Sequence, residues 1–253
     1  MAAMCLVLGL LGGVLAAGFK RPTPAAARFI PPASPGYDFK LHDESGRLRT
    51  LADARGSVVV VAFVYSTCRD VCPAGGNVVS TAIHALHSPQ AQAYFISVDP
   101  VGDTPARTRR WLAQRGLTGH GHYLLGSRAQ LEPVWRHYAI APIHASRAER
   151  IAAAKQSDEL AALAAKHPER FKPFTYTYPP QPSTTPTGAD DPYPDAGDLA
   201  YRGRARHIAG WDFEHTAYVL LIDQKGRQRL GIPFDAVSPD SLERDLRVLL
   251  AGG

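Results

Sequence analysis

Two cysteines, Cys68 and Cys72, are the residues of this chain whose type and spacing most directly indicate chemistry. A separation of four positions lets both sulfurs converge if the segment turns helically. Thiolates are soft ligands that favour copper(I), zinc or iron–sulfur centres. Two thiolates alone make a poor zinc site, because structural zinc takes four ligands. A metal bound here therefore needs a further ligand from elsewhere in the chain.

His215 is the best-placed of the ten histidines to supply that ligand, because it directly precedes the apolar run Ala217–Ile222. The other histidines fall on a predicted helix, in a Gly-rich turn or in irregular segments. These residues alone leave alternatives to a metal site open. His215 could be an ordinary hydrogen-bonded histidine. The two cysteines could form a local disulfide or be two small buried residues.

The elements that must position these residues are predicted from hydrophobic patterning. Ser57–Tyr65 is a continuous β-branched and aromatic run, typical of a strand buried on both faces. The cysteines follow its carboxyl end, where ligand sites form in open α/β sheets. Other strands are predicted at Tyr37–Leu41 with a short partner, Ala93–Val98, His122–Leu125, Ala217–Ile222 and Arg229–Ile232, and helices at Val78–His87, Pro105–Gly116, Leu131–Tyr138, Ser146–His167 and Ser238–Leu250. This order predicts an α/β sheet, parallel in its centre with an antiparallel edge, and helices on both faces.

Three segments are predicted along the chain. Residues 1–18 are apolar and uncharged, which predicts a signal segment or membrane anchor. Residues 19–36 are rich in Pro and Ala and predict a linker. Residues 37–253 form the domain, with an insertion at 142–210 that is part helix and part irregular. Because closure entropy grows slowly with length, a short loop in place of Ser146–Arg204 is expected to stabilise the fold by about 1 kcal/mol, unless the insertion packs onto the core.

Composition narrows the function classes. Hydrophobic residues make up 45% and charged residues 20%, which allows a packed core and argues against wholesale disorder. The net charge is +5, but the basic residues are scattered and not interleaved with aromatics, so no nucleic-acid partner is expected. Only three cysteines are present, with Cys5 in the N-terminal apolar run, which excludes a disulfide-stapled scaffold.

The chain resembles the Sco/SenC family of copper-binding thioredoxin-like proteins, which assist assembly of the copper centre of cytochrome c oxidase. Four segments carry the resemblance: FKLHDESGRLRTLADARG (39–56), FVYSTCRDVCP (63–73), SVDPVGDTP (97–105) and EHTAYVLLIDQKGR (214–227). It covers about residues 37–141 and 211–250. It implies a thioredoxin-like fold with a central mixed sheet, an N-terminal hairpin and a long insertion before the C-terminal hairpin.

The same resemblance implies a site and a setting. It implies a copper ion held by the thiolates of Cys68 and Cys72 and the imidazole of His215. It implies as partner the copper-bearing subunit of cytochrome c oxidase or another copper chaperone. It also implies a location on the periplasmic side of the inner membrane, anchored or exported. The chain departs from the family pattern at Arg69, where proline is usual, but that departure removes no ligand.

Two other functions use the same cysteines. One is a thiol–disulfide oxidoreductase acting on a partner's cysteines, so enzymatic activity stays open. The other is a solute-binding or regulatory domain with an inert disulfide. The C-x-x-x-C spacing, unlike the C-x-x-C of thioredoxin-type catalysts, favours copper. Cys68 and Cys72 are expected to form a reversible redox disulfide, because an exported domain meets oxidants and the spacing permits the bond.

Overall fold

The computed structural model describes residues 35–69, 71–143, 146–167, 215 and 217–252. The strands are β1 (Leu41–His42), β2 (Leu48–Arg49), β3 (Val58–Val64), β4 (Ala91–Ser97), β5 (Gly121–Leu124), β6 (Tyr218–Ile222) and β7 (Gln228–Pro233). The helices are α1 (Val71–Leu86), α2 (Pro105–Ala113), α3 (Arg128–His137), α4 (Arg147–Lys166) and α5 (Pro239–Leu250). The predicted elements are therefore present in the predicted order.

A five-stranded mixed sheet in the order β5-β4-β3-β6-β7 forms the centre of the domain. Strands β3, β4 and β5 are parallel, because helices α1 and α2 cross over between them. Strand β6 runs antiparallel to β3, and β7 antiparallel to β6. The predicted mixed sheet is confirmed, with β3 on the border between its parallel and antiparallel halves. Strands β1 and β2 form a separate N-terminal hairpin, also as predicted.

Helices cover both faces of the sheet. All seven residues of β3 are buried. In the β3–β4 register Phe63 faces Ile96 and Phe95 faces Ala62, so the two phenylalanines point to opposite faces. Phe63 packs against Tyr138 at a ring-centroid distance of 5.6 Å, whereas Phe95 packs against Trp111 at 4.9 Å. The end of α3 and helix α2 therefore lie on opposite faces, which confirms the predicted layering.

Helix α1 begins at Val71, seven residues before the predicted start at Val78. Pro73 is tolerated because the first turn of a helix needs no backbone donor there. Glycine has a low helix propensity, but close packing explains why it stands at positions 75 and 76. A β-carbon at Gly75 would lie 2.8 Å from the ring of Phe234, and one at Gly76 would lie 2.6 Å from the ring of Trp111.

Substituting Gly76→Ala is expected to destabilise the domain. Alanine favours the helix by about 1 kcal/mol, but the added methyl group forces the Trp111 ring away at a cost of about 1–3 kcal/mol. We expect a net loss of up to about 2 kcal/mol in urea unfolding. The exposed neighbour Asn77→Ala is the matched control and should leave stability equal or slightly higher. Equal stability of both variants would remove the packing explanation.

The predicted N-terminal segment, residues 1–18, lies outside the described residues, as does the predicted linker up to residue 34. The last two residues of the predicted linker belong to the domain. Pro35 forms a β-bridge with Arg227, and the Gly36 amide donates to the Gly226 carbonyl at 2.8 Å. Among the described residues no helix is long and apolar enough to cross a membrane. Of the predicted insertion, 142–210, helix α4 is described, and residues 168–210 are not.

Candidate metal centre

Cys68 and Cys72 lie beyond the carboxyl end of β3, as the sequence predicts. Cys68 sits in a turn in which its amide donates to the Tyr65 carbonyl at 3.3 Å. Cys72 lies in the first turn of α1. The two cysteines are not joined in a disulfide, and the exposed fractions are 4% for Cys68 and none for Cys72. The turn and the helix start thus deliver two buried sulfurs to one end of the sheet.

The antiparallel pairing of β3 and β6 brings His215 to the same end. Ala62 faces Val219 in this register, so the residues just before β6 lie beside those just after β3. His215 is 1% exposed, and its ring meets the Tyr65 ring edge-on at 5.4 Å between centroids. Two segments far apart in sequence therefore converge because the sheet changes direction at β3.

The distances place two of the three predicted ligands together. The Sγ of Cys72 lies 3.4 Å from Nε2 of His215. The Sγ of Cys68 is not within 4.8 Å of both of these atoms. Cys68 is held by the turn and not by the helix, so a change in its side-chain rotamer or turn is needed to join the other two.

Asp103 organises the loop that carries Cys68. The Ser66 amide donates to Oδ1 of Asp103 at 2.7 Å, and the hydroxyls of Ser97 and Tyr123 donate to its Oδ2 at 2.6 and 3.0 Å. Thr104 caps helix α2 by accepting from the Arg107 amide. Asp99 orders its own loop by accepting from the Val101 amide. Burial raises the pKa of Asp103 from 3.8 to about 6.

This raised pKa predicts a pH dependence of stability. The folded state binds a proton at Asp103 more tightly than the unfolded chain does, so the contribution of Asp103 is most favourable below the unfolded pKa of 3.8 and is lost as the pH rises to about 6. An Asp103→Asn chain keeps a neutral group at every pH. We therefore expect its stability, measured relative to wild type, to be higher at pH 7 than at pH 4 by about 1–3 kcal/mol. A pH-independent difference in urea unfolding would contradict the assignment.

Arg115 is a residue near the site that sequence reasoning missed. Its guanidinium carbon lies 4.0 Å from the centroid of the Trp111 ring, and its Nε is buried without a hydrogen-bond partner. Burial lowers the pKa of Arg115 to about 10, and attraction to the charges of Cys72 and Cys68 acts in the opposite direction. The positive charge of Arg115 therefore lies within electrostatic reach of both cysteines. By contrast Arg69, beside Cys68 in sequence, is exposed.

Another cluster, formed by Asp43, Glu44 and His122, holds three potential ligand atoms within 4.8 Å of one another. Its carboxylates are already engaged. Asp43 accepts from the amides of Ser45 and Arg47 in the β1–β2 turn and from Arg49, and these hydrogen bonds outweigh burial and lower its pKa to about 2. Glu44 accepts from the Tyr123 amide at 2.9 Å. We assign the two carboxylates to the structure of the turn.

Fold and site together define a thioredoxin-like domain with a buried thiol–imidazole pair at the carboxyl end of its central strand. The model of the SCO1/SenC family matches residues 30–162, which is more than half of the chain, so the chain belongs to this family. That match contains both cysteines and ends before His215. The expected recognition and fold class are thus confirmed.

Individual relatives agree with this assignment. The chain is 35% identical over 107 residues to the mitochondrial SCO2 homologue of Bos taurus, covering 41% of this chain and 40% of that protein's length. It is similar to the copper-bound structure of Bradyrhizobium japonicum ScoI, with a TM-score of 0.52, 22% identity and coverage of 86% and 100% of the two chains. It is also similar to BsSco, described as a member of the Sco family of cytochrome c oxidase assembly proteins, with a TM-score of 0.53, 13% identity and coverage of 87% and 96%.

Proposed function

We propose that this protein binds one copper ion through Cys68, Cys72 and His215 and assists assembly of the copper centre of cytochrome c oxidase. The observation that carries the proposal is the 3.4 Å approach of the Cys72 sulfur to Nε2 of His215 in a buried position, with a second buried thiol, Cys68, in the preceding turn. Family membership and the copper-bound structure of a similar protein support it.

The donor set fits a soft metal ion. Metal–sulfur and metal–nitrogen bonds of about 2.3 and 2.0–2.1 Å at angles of about 100–120° require a sulfur–nitrogen separation of roughly 3.3–3.8 Å. The separation between Cys72 and His215 lies in this range. Two thiolates and one imidazole suit copper(I) better than hard cations. The Asp43, Glu44 and His122 cluster offers mainly oxygen ligands and is a poorer match.

The protein's own residues supply a route for loading and release. Binding displaces the thiol protons, and the positive charge of Arg115 lies within electrostatic reach of the negative charge that forms on the sulfurs. Cys72 and His215 are fixed by α1 and by the start of β6, whereas Cys68 lies in the preceding turn nearer the surface. We therefore assign Cys68 as the ligand that exchanges first when a recipient takes the ion.

Copper titration tests the proposal. We expect the reduced full chain to bind one copper(I) under anaerobic conditions, measured by metal analysis and absorption spectroscopy. A chain oxidised at Cys68 and Cys72, verified by mass, has no thiolate to offer and should bind none at this site. Copper uptake by the oxidised chain at the same affinity would refute both the ligand assignment and redox control.

The delivery step needs a separate experiment. In cells that lack this protein, the copper content of cytochrome c oxidase should fall, and wild-type protein but not Cys72→Ser should restore it. Under the alternative, thiol–disulfide oxidoreductase function, the protein would reduce cysteines of the oxidase subunit without carrying metal. The His215→Ala variant distinguishes the two functions, because it removes a copper ligand but leaves both thiols. It should fail to restore the oxidase if the protein delivers copper, and should restore it if the protein reduces cysteines.

The proposed setting is outside the cytoplasm. The apolar segment 1–18 acts as signal or anchor, residues 19–34 as linker, and the domain lies on the periplasmic side of the inner membrane. The mitochondrial assignment of the bovine relative supports a location at an energy-transducing membrane. Fractionation of cells, with protease added to intact spheroplasts, tests it: the domain should be degraded.

A further inference from the structure

A second group of imidazoles lies at the opposite end of the sheet from the cysteines. His84, His87, His120 and His122 line a surface cavity of about 460 Å³ beside the C-terminal end of α1 and the first residues of β4 and β5. Strand β3 has seven residues, so this cavity is about 20 Å from Cys68, too far to share a ligand with it. We propose that His84 and His120, supported by His122, bind a divalent transition-metal ion independently of the cysteine site.

His84 is held with one nitrogen ready for a metal. Its Nδ1 lies 2.8 Å from the Ser80 carbonyl oxygen and 3.4 Å from the Ser80 hydroxyl, which itself donates to the Arg115 carbonyl at 2.6 Å. Both neighbours of Nδ1 are therefore acceptors, so Nδ1 carries the proton and Nε2 carries the lone pair. Metal-bound histidines in proteins are usually oriented by a bond of this kind from the other ring nitrogen.

His120 lies at the right distance to complete a pair. Bound at about 2.0–2.1 Å, a metal ion lies roughly 3.2 Å from the centroid of an imidazole ring, so two ligands at about 90–109° have centroids about 4.5–5.2 Å apart. The centroids of His84 and His120 are 4.7 Å apart, and an interplanar angle of 54° excludes parallel stacking. The backbone of His120 is fixed because its amide donates to the Leu117 carbonyl and its carbonyl accepts from the Ala93 amide.

His122 is a third imidazole at the cavity, but its ring nitrogens do not lie within 4.8 Å of ligand atoms of both His84 and His120, so its side chain must rotate to join them. Its Nδ1 is buried and lies 3.6 Å from Oε1 of Glu44 and 3.7 Å from Oδ2 of Asp43. Both carboxylates are thus beyond hydrogen-bond distance of Nδ1, but they place negative charge beside a ring that lines the cavity.

The surroundings favour a cation. His84 lies in the last turn of α1, where the partial negative charge of the helix end attracts positive charge. The side chains that line the cavity include no lysine and no arginine. Imidazoles without thiolates select borderline ions such as Cu(II), Zn(II) and Ni(II) rather than Cu(I). The two sites therefore differ in metal oxidation state as well as in place.

Copper(II) titration of the full-length Cys68→Ser/Cys72→Ser chain tests this site with the first site removed. We expect one Cu(II) to bind, with at least two imidazole nitrogens counted by pulsed electron paramagnetic resonance. His84→Gln and His120→Gln should each weaken binding at least 10-fold, about 1.4 kcal/mol, and remove one imidazole from the count. His42→Gln, an exposed histidine on β1, is the matched control and should change neither.

A second measurement does not depend on variants. In the wild-type chain, Zn(II) should shift the Nε2 resonance of His84, whose Nδ1 stays protonated, and one ring-nitrogen resonance of His120 in imidazole nitrogen spectra. Unchanged Cu(II) affinity and imidazole count in both histidine variants, or Zn(II) shifts confined to other histidines, would overturn the proposal. Neither outcome bears on copper(I) binding at the cysteines, which is measured separately on the reduced wild-type chain.

Discussion

Replacing His215 by alanine lowers the copper(I) affinity of the reduced chain by about 100-fold or more, equivalent to about 2.7 kcal/mol. The substitution removes the only imidazole placed against a site cysteine, Nε2 at 3.4 Å from the Cys72 sulfur, among the residues that the structure describes. The ion keeps two thiolates, one of which must also move to reach it. Cys72→Ser should have an effect at least as large, because it removes the sulfur that both helix α1 and His215 position.

Anaerobic competition with a copper(I) chelator provides the measurement, at one pH and with both thiols shown to be reduced. His215 is buried against the Tyr65 ring, so its loss also leaves a cavity, and stability needs to be measured in the same samples. His42→Gln serves as the control, because it removes an exposed histidine of β1 that is not among the proposed ligands. If His215→Ala loses stability but keeps wild-type copper affinity, the histidine is structural and the three-ligand assignment fails.

The sequence was sufficient for the strands that carry the site because their signal is local. Ser57–Tyr65 and Ala217–Ile222 are continuous apolar runs, and the structure places β3 and β6 within them. The start of α1 was harder to predict from the sequence. Proline and paired glycines weaken the local helix signal, and only the close packing of Gly75 and Gly76 against Phe234 and Trp111 explains them. Tertiary packing overrides propensity there.

The contacts that surround the site could not be predicted from the sequence. The charge of Arg115 reaches the cysteines only because α2 packs beside α1, and the bond from the Ser66 amide to Asp103 joins residues 37 positions apart. No local pattern indicates such contacts. Segment 97–105, which contains Asp99 and Asp103, carries part of the family resemblance but did not indicate that Asp103 supports the segment that leads to Cys68.

The contacts of helix α4 were also not predicted from the sequence, and they change the expectation that a shorter insertion stabilises the fold. Asp158 accepts from Arg107 at 2.6 Å and from Arg110 at 2.8 Å, and Arg150 lies 3.4 Å from Oδ1 of Asp99. Ala154 of this helix is 4% exposed. The helical part of the insertion thus packs onto the domain, and this is the condition under which removing the insertion would not stabilise the fold.

Replacing Ser146–Arg204 by a short Gly/Ser loop is accordingly expected to lower the free energy of unfolding by about 3 kcal/mol, and Arg150→Met alone by about 2–3 kcal/mol. Asp99 is fully buried, so without Arg150 its carboxylate loses its ion-pair partner in the interior. Adding Asp99→Asn to either change should restore most of the loss, because no charge is then left unpaired. Urea unfolding of the full-length variants measures this.

Lys155→Ala is the matched control on the same helix. Its ion pair with Glu159 is long, at 3.9 Å, and both side chains are largely exposed, so the change should be below about 0.5 kcal/mol. The Arg150 variants should also bind copper more weakly than wild type. The reason is that Asp99 and Asp103 share the loop that holds Ser66 next to the site. If Arg150→Met is as stable as Lys155→Ala, helix α4 rests on the surface without anchoring that loop.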